Sequence, residues 1–256
     1  MNPGRARDES APVRIAMWSG PRNISTAMMR AWENRGDCAV SDEPLYAHYL
    51  AHTGLDHPGA DEVIAAGETD WRRVVDALLG PAPDARPVWY QKHMAHHLLP
   101  HIDRGWINGL RNVLLIRDPR EVVASYVKSR ADVTPTDIGL PQQAALYDAL
   151  CAAGEPPPVI DAGDFLRAPG AFLCALCDWL GIAFTDRMLH WPAGPRDSDG
   201  AWAPHWYARV CASTGFEPAG ARAKPSLSGA AAEVAEACMP HYTRLHASRL
   251  VVDPTR

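Results

Sequence analysis

Residues 14–32 read RIAMWSGPRNISTAMMRAW, an apolar run followed by an amphipathic one. Ile15, Met17 and Trp18 predict a buried strand that breaks at Ser19-Gly20-Pro21. The next apolar residues are spaced as on one face of a helix. A strand, a tight loop and a helix in this order form a cradle for a phosphate, because amide groups at the helix start point toward the anion. The stretch therefore predicts an α/β protein with an anion site at this loop.

The loop lacks the Walker pattern of four residues and then Gly-Lys-Ser/Thr after its first glycine. Gly20 is followed by the residues PRNIST. Arg22 supplies a fixed charge there, and Ser25 and Thr26 add hydroxyl donors. An ordinary turn and an N-cap serine would use the same residue types. The loop alone leaves open which anion it binds.

The composition predicts one globular domain. The chain has 256 residues, 47% of them hydrophobic and 21% charged, which is enough for one substantial core. A formal net charge of −5 argues against nucleic acid as a partner, so an anion site must be local. We expect a disordered tail over residues 1–12 and a single domain over residues 13–256.

The sequence also predicts a cellular setting. No apolar run approaches the roughly 20 residues that span a bilayer, so we expect a cytoplasmic protein without a membrane partner. Its six scattered cysteines are expected to be reduced, with Cys174 and Cys177 on the buried face of a helix. The oligomeric state is left open, a homodimer included.

Apolar runs alternate with helical patterns along the chain. Strands are predicted for five runs: VRIAMWS, CAVSDEP, PVWYQK, NVLLIRD and PPVIDAGDF. Helices are expected at about residues 62–79, 93–104, 119–130, 142–153, 168–180 and 230–245, and an irregular segment over the cleft at 191–224. This alternation predicts a mainly parallel sheet of about five strands, flanked by helices.

Polar residues stand where the predicted strands end. Asp42-Glu43, Lys92-His93 and Arg117-Asp118 follow three of these strands, as Ser19 to Thr26 follow the first. Ligands of parallel sheets bind beyond the carboxyl ends of the strands. We therefore expect these side chains to meet at one edge.

The stretch NVLLIRDPREVVASYVKSR carries a family resemblance. Arg117 ends a predicted strand, Asp118-Pro119 begins a helix, and Ser125 follows eight positions after Arg117. This arrangement resembles the 3′-phosphate motif of sulfotransferases that use 3′-phosphoadenosine 5′-phosphosulfate (PAPS). The resemblance implies a three-layer P-loop-type fold, with Arg117 and Ser125 holding the 3′-phosphate of PAPS.

The same resemblance gives a role to the first loop. In the family, a 5′-phosphosulfate loop follows the first strand and carries a basic residue before a Ser/Thr-rich helix start. The corresponding donor-binding positions here are Gly20, Arg22, Asn23, Ser25 and Thr26. The family usually has Ser-Gly-Thr-Thr after the basic residue, whereas this chain has NIST. Relatives also close a basic loop over the nucleotide, for which GARAKPSLSG offers Lys224. PAPS would be a co-substrate, and no metal is required.

Sulfuryl transfer needs a base for the acceptor proton and positive charge at the leaving oxygen. Arg22 and Lys92 are the candidates for the charge. Glu43, in SDEPLYAHYL, resembles the Glu-Pro element of carbohydrate-type and bacterial sulfotransferases and is the first candidate for the base. A carboxylate at a helix start is the alternative interpretation of Glu43. His93 is the second candidate, although cytosolic sulfotransferases have Lys-x-His where this chain reads KHMAH.

Two sets of rings have alternative interpretations. His93, His97 and His101 would share one helix face at a spacing that suits a metal, but no flanking carboxylate accompanies them and we expect no metal site. Three tryptophans could stack on adenine, line the acceptor pocket or form a core for the irregular segment, which we favour: Trp191, Trp202 and Trp206.

The function predicted from these residues is transfer of a sulfuryl group from PAPS to a hydroxyl or amine of a small-molecule acceptor. One alternative is a degenerate nucleotide-binding protein without turnover. A P-loop kinase is the other, and it would require magnesium-dependent ATP binding without a Walker lysine.

Overall fold

The computed structural model describes residues 11–128, 132–217 and 225–253, and its centre is a five-stranded parallel sheet. The strands are β1 (Val13–Ser19), β2 (Cys38–Asp42), β3 (Val88–Met94), β4 (Arg111–Ile116) and β5 (Val159–Asp161). Their order is β2-β3-β1-β4-β5, and each neighbouring pair is parallel. The predicted α/β fold with a mainly parallel central sheet is confirmed.

Helices follow the strands and flank the sheet. Those before β4 are α1 (Ser25–Glu33), α2 (Tyr46–Thr53), α3 (Ala60–Ala66) and α4 (Trp71–Leu79). Those between β4 and β5 are α5 (Pro119–Tyr126), α6 (Pro135–Ile138) and α7 (Leu140–Ala152). Those after β5 are α8 (Ala162–Arg167), α9 (Pro169–Leu180), α10 (Ala203–Trp206), α11 (Ala208–Cys211) and α12 (Gly229–Ala247). Within the described ranges, no helix combines the length and apolarity needed to cross a membrane.

The side chains of β1 explain the three layers. Ile15 and Met17 point to one face, where they join a core with α1 and α9. Ala16 and Trp18 point to the other face, where they join a core with α4, α7 and α12. Successive strand residues face opposite sides, so a strand buried on both sides is apolar at nearly every position. The continuous apolar run of β1 follows from this position.

Two predicted helices differ from the structure. The predicted helix at 62–79 is two helices, because the backbone is extended at Gly67 and Asp70 caps α4 by accepting from the amide of Arg72. The predicted helix at 93–104 is wrong. β3 continues through Met94, which pairs with Ser19 of β1, and a short 3₁₀ turn, Ala95–His97, follows. His93 lies in β3, His97 in the 3₁₀ turn and His101 in the loop that follows, so their helical spacing did not indicate a helix.

The remaining elements lie close to their expected places. Gly181 ends α9 with a left-handed φ of 72°. Cys177 of α9 is buried, Cys174 is partly buried, and all six cysteines are free thiols. The segment predicted to be irregular contains the short helices α10 and α11. Its last residues, Lys224 among them, lie outside the described ranges, as do residues 1–10 of the expected tail.

Candidate active site

A cavity of about 600 Å³ lies where the strands end. Residues directly after β1, β2, β4 and β5 line it, together with the last residues of β3. The segment containing α10 and α11 forms another wall. The cavity therefore lies at the carboxyl edge of the sheet, where parallel strands bind ligands.

The loop after β1 is held by close backbone approach and by an asparagine. A Cβ atom on Gly20 would lie 2.2 Å from the carbonyl oxygen of Ile138, so this position requires glycine. Asn23 Nδ2 donates to the carbonyl oxygen of Leu115 (3.0 Å), and its Oδ1 accepts from the amide of Ile24 (2.9 Å). Gly20 does not line the cavity, whereas Asn23 does. Gly20 shapes the loop, and Asn23 fastens it to the end of β4.

The start of α1 faces the cavity. Ser25 and Thr26 line it, and the N-cap residue, Ile24, makes no side-chain hydrogen bond to the first turn. The first amide groups of a helix carry partial positive charge and seek an acceptor. The chemistry of this helix start suits an anion.

Two predicted anion ligands, Arg22 and Ser125, are in direct contact. Arg22 Nε donates to Ser125 Oγ at 2.9 Å, although the residues are 103 positions apart. Arg117 Nη1 donates to the carbonyl oxygen of Arg22, also at 2.9 Å. The structure thus joins the loop after β1 to the residue that follows β4 and to the last turn of α5. All three side chains line the cavity.

The positive charges of Arg22 and Arg117 are only partly balanced by nearby carboxylates. Glu121, one helical turn after Arg117, pairs with the Arg117 guanidinium at 2.8 Å. Partial burial, with the charges of Arg117 and Arg209, lowers the pKa of Arg22. An anion placed between these guanidinium groups would relieve their repulsion. We did not predict the pairing of Glu121 with Arg117, for which the sequence signal is their i,i+4 spacing.

Lys92 is buried in a network of hydrogen bonds. Its side chain is 1% exposed, and Nζ donates to Asp42 (2.9 Å), Glu43 (2.7 Å) and the hydroxyl of Tyr207 (2.5 Å). The Tyr207 hydroxyl in turn donates to Asp42 Oδ2 at 2.7 Å. Burial by itself lowers the pKa of Lys92, but Asp42 and Glu43 outweigh it and hold the pKa well above its ordinary value. Lys92 is therefore a cation with all three hydrogens engaged.

Glu43 presents a carboxylate to the cavity. Its side chain is 11% exposed, Oε1 accepts from Lys92, and Oε2 lies 4.0 Å from Nδ1 of His97. Burial raises the pKa of Glu43, Lys92 lowers it and Asp42 raises it, with a net upward shift. A carboxylate with these properties can accept a proton from a substrate.

The structure places His93 away from the cavity. The side chain is 1% exposed and stacks on Trp18 with ring centroids 4.4 Å apart. Burial lowers the pKa of His93 to about 3. Its neighbour Lys92 faces the cavity, and successive strand residues face opposite sides. This position argues against His93 as the base, whereas His96 and His97, neither of which we predicted to be the base, line the cavity.

The tryptophans divide between two environments. Trp191 lies in the core against Phe216, with ring centroids 5.0 Å apart. Trp202 and Trp206 line the cavity, and Trp202 Nε1 donates to the Tyr207 hydroxyl at 3.0 Å. Sequence patterns gave no signal for Tyr207, because its partners on β2 and β3 are more than a hundred positions away.

Comparison with protein families agrees with this architecture. A family model described as "Sulfotransferase domain" matches residues 13–249. Over 206 residues the chain is 38% identical to branched-chain-amino-acid aminotransferase-like protein 2 of Arabidopsis thaliana, covering 79% of this chain and 36% of that protein. It is 39% identical to protein 1 of the same name and organism, covering 80% and 37%. The chain spans little more than a third of the length of these curated relatives.

Two solved structures share the fold. The sulfotransferase domain of the Synechococcus PCC 7002 olefin synthase has a TM-score of 0.51 at 17% identity, covering 91% of this chain and 97% of that one. A sulfotransferase from Alicyclobacillus acidocaldarius has a TM-score of 0.53 at 12% identity, covering 96% and 100%. At these identities the likeness concerns the fold.

Proposed function

Since this chain belongs to the sulfotransferase domain family, we propose that it transfers a sulfuryl group from PAPS to a hydroxyl or amine of a small molecule. The observation that carries the proposal is the meeting of Arg22, Arg117 and Ser125 at the cavity. We further propose that residues 13–256 act as one domain, which the extent of the family match supports.

The donor would lie against the loop after β1, the end of β4 and the last turn of α5. Arg117 and Ser125 would bind the 3′-phosphate, as the resemblance implies. Arg22, the first turn of α1 and the hydroxyls of Ser25 and Thr26 would receive the phosphosulfate. These groups suit two separate anions, and PAPS carries both on one adenosine.

The reaction requires one bond to form and one to break. An acceptor oxygen or nitrogen bonds to sulfur while the bond from sulfur to the 5′-phosphate oxygen breaks, which releases adenosine 3′,5′-bisphosphate. We assign acceptance of the acceptor proton to Glu43, because its carboxylate faces the cavity. The positive charge of Arg22 stabilises the negative charge that develops on the leaving phosphate.

Lys92 contributes mainly by holding Glu43. Its three hydrogens already meet Asp42, Glu43 and Tyr207, so a bond to the leaving oxygen would require one of these contacts to open. The nearby ammonium favours the ionised form of Glu43, which is the form that acts as a base. We therefore propose that Lys92 orients the base and adds positive charge to this wall of the cavity.

Calorimetric titration with adenosine 3′,5′-bisphosphate tests the donor site. We expect binding to the full chain, weakened about 10- to 100-fold in Arg117→Ala, the effect of losing a hydrogen bond to a charged group. Arg120→Ala is the matched control, because Arg120 lies three positions after Arg117, in the first turn of α5, but pairs with Glu236. Binding that is absent in the unmodified chain, or unchanged in Arg117→Ala, would contradict the proposed site.

ATP with Mg²⁺ and a panel of acceptors separate the alternatives. We expect no competition from ATP and measurable transfer from PAPS. Binding of ATP with Mg²⁺ alone would favour the kinase. Tight binding of the bisphosphate without transfer to any acceptor would favour a nucleotide-binding protein without turnover.

A further inference from the structure

Three histidines, which do not line the cavity, meet beside α2. His48 and His52 lie one turn apart on α2, and His101 comes from the loop that follows the 3₁₀ turn after β3. Nε2 of His48 lies 2.9 Å from Nε2 of His101, and the rings of His52 and His101 have centroids 4.2 Å apart. One ring nitrogen from each residue lies within 4.8 Å of the other two.

The orientation of His48 is fixed by the backbone. His48 is buried, and its Nδ1 lies 2.7 Å from the carbonyl oxygen of Thr69. A carbonyl oxygen only accepts hydrogen bonds, so Nδ1 must carry the hydrogen, and the lone pair of Nε2 in the neutral ring faces Nε2 of His101. Metal-binding histidines are usually oriented in this way, with the second ring nitrogen bonded to a carbonyl or carboxylate.

We propose that His48, His52 and His101 bind one divalent transition-metal ion of the zinc type. Imidazole nitrogens suit Zn²⁺, and three of them leave a fourth position for water. With Zn–N distances of about 2.0–2.1 Å, tetrahedral ligands lie roughly 3.4 Å apart. The side chains of His52 and His101 are exposed and can rotate to reach these distances. This proposed site differs from our expectation from the sequence, which was that the protein has no metal site.

A second cluster is a weaker candidate for a metal. Asp161, Asp164 and His246 also bring ligand atoms within 4.8 Å of one another. Their carboxylates are already engaged: Asp161 accepts from the Tyr242 hydroxyl, and Asp164 pairs with Arg249. Among the contacts of the described residues, no lysine or arginine side chain bonds to the three histidine rings.

The ion would connect two segments of the chain that follow different strands of the sheet. α2 begins just after Glu43, the loop of His101 follows β3, and Thr69 precedes α4. Binding to the folded protein alone would raise its thermal stability with metal concentration. The proposal is independent of sulfuryl transfer.

The test is titration of metal-free full chain with Zn²⁺, monitored by calorimetry and thermal unfolding, with Co²⁺ absorption as a probe of coordination. We expect one equivalent of Zn²⁺ to bind, a higher Tm and the visible bands of tetrahedral Co²⁺. His52→Ala and His101→Ala, both at exposed positions, should each weaken binding at least about tenfold.

His246→Ala is the matched control and should bind Zn²⁺ as the unmodified chain does. The proposal is overturned if the unmodified chain binds no stoichiometric Zn²⁺, or if binding is unchanged in both His52→Ala and His101→Ala. Loss of binding in His246→Ala alone would place the metal at the other cluster and would also overturn it.

Discussion

Glu43 has a backbone conformation that a glutamate rarely adopts. Its φ is 40°, in the left-handed region, directly after β2. Its amide donates to the carbonyl oxygen of Lys92 at 2.9 Å, and its carboxylate accepts from the ammonium of the same residue. A strained residue persists when its surroundings hold it firmly, and such residues cluster at functional sites. The backbone and the side chain of Lys92 together aim this carboxylate at the cavity.

Replacing Glu43 by glutamine tests its role as the base. Glutamine keeps the shape but cannot accept the proton, so we expect kcat to fall about 10²- to 10⁴-fold. Affinity for adenosine 3′,5′-bisphosphate should remain within a few-fold, because Glu43 is not assigned to the donor. Asp56→Asn, at another carboxylate that lines the cavity, is the control and should keep kcat. Unchanged turnover in Glu43→Gln would remove the assignment.

The pH dependence of turnover follows from the raised pKa of Glu43. Burial raises this pKa above its ordinary value of 4.5, although Lys92 opposes the shift. The base must be ionised to accept a proton, so kcat should rise with pH as Glu43 loses its proton. The acid limb of the pH–rate profile should lie above 4.5. We expect this limb to disappear in Glu43→Gln, and its persistence there would assign it to another group.

At the scale of elements, the site depends on how α6 and α7 approach the strand ends. Gln143 of α7 donates through Nε2 to the carbonyl oxygens of Trp18 (2.9 Å) and Leu115 (3.1 Å), which belong to β1 and β4. The carbonyl of Ile138, the last residue of α6, lies against Gly20. These contacts hold the loop after β1 on its side away from the cavity.

The close approach at Gly20 predicts a stability effect. In Gly20→Ala the new methyl group would lie 2.2 Å from the Ile138 carbonyl oxygen, so the backbone must shift. We expect a loss of about 1–3 kcal/mol in the free energy of unfolding, measured by urea denaturation. Gly170→Ala in α9, where the methyl group would be 3.8 Å from Leu189, should be neutral or slightly stabilising. Equal stability of the two variants would contradict this account.

At the scale of the whole molecule, the segment before α10 is fastened to α1 by a buried ion pair. Arg30 of α1 is 1% exposed, and its guanidinium lies 2.6 Å from Asp199, whose side chain is 5% exposed. Asp199 also accepts from the amide of Arg196 at 2.8 Å. Gly200, the next residue, donates its amide to Asp42 at 3.1 Å. The far wall of the cavity is thereby attached to both α1 and β2.

Removing Asp199 should destabilise the protein strongly. Asp199→Ala removes the carboxylate that lies 2.6 Å from the buried guanidinium of Arg30 and leaves Glu33, at 3.8 Å, as its carboxylate neighbour, so we expect a loss of about 3–5 kcal/mol in the free energy of unfolding. Asp148→Ala is the control, because Asp148 pairs with Arg244 on the surface and such pairs contribute at most about 1 kcal/mol. Chemical denaturation of both variants measures the difference. A similar small loss in both variants would show that the Arg30–Asp199 pair contributes little to the free energy of unfolding.

Local sequence patterns are enough to predict the strands, the parallel sheet and the edge at which polar residues gather. Hydrophobic periodicity is a local property, and a strand buried on both faces shows it in a few consecutive residues. Arg22 and Arg117 could be selected because they directly follow predicted strands, whereas Ser125 was selected through the family resemblance.

The neighbours of these residues depend on the packing of the whole chain. Lys92 and His93 are adjacent in sequence, yet one joins the cavity and the other the core, because the register of β3 against β1 sets which side each faces. The partners of Lys92 come from β2 and from Tyr207, 115 positions away. The burial and the electrostatics of a site depend on many such distant contacts, so local sequence patterns do not predict them.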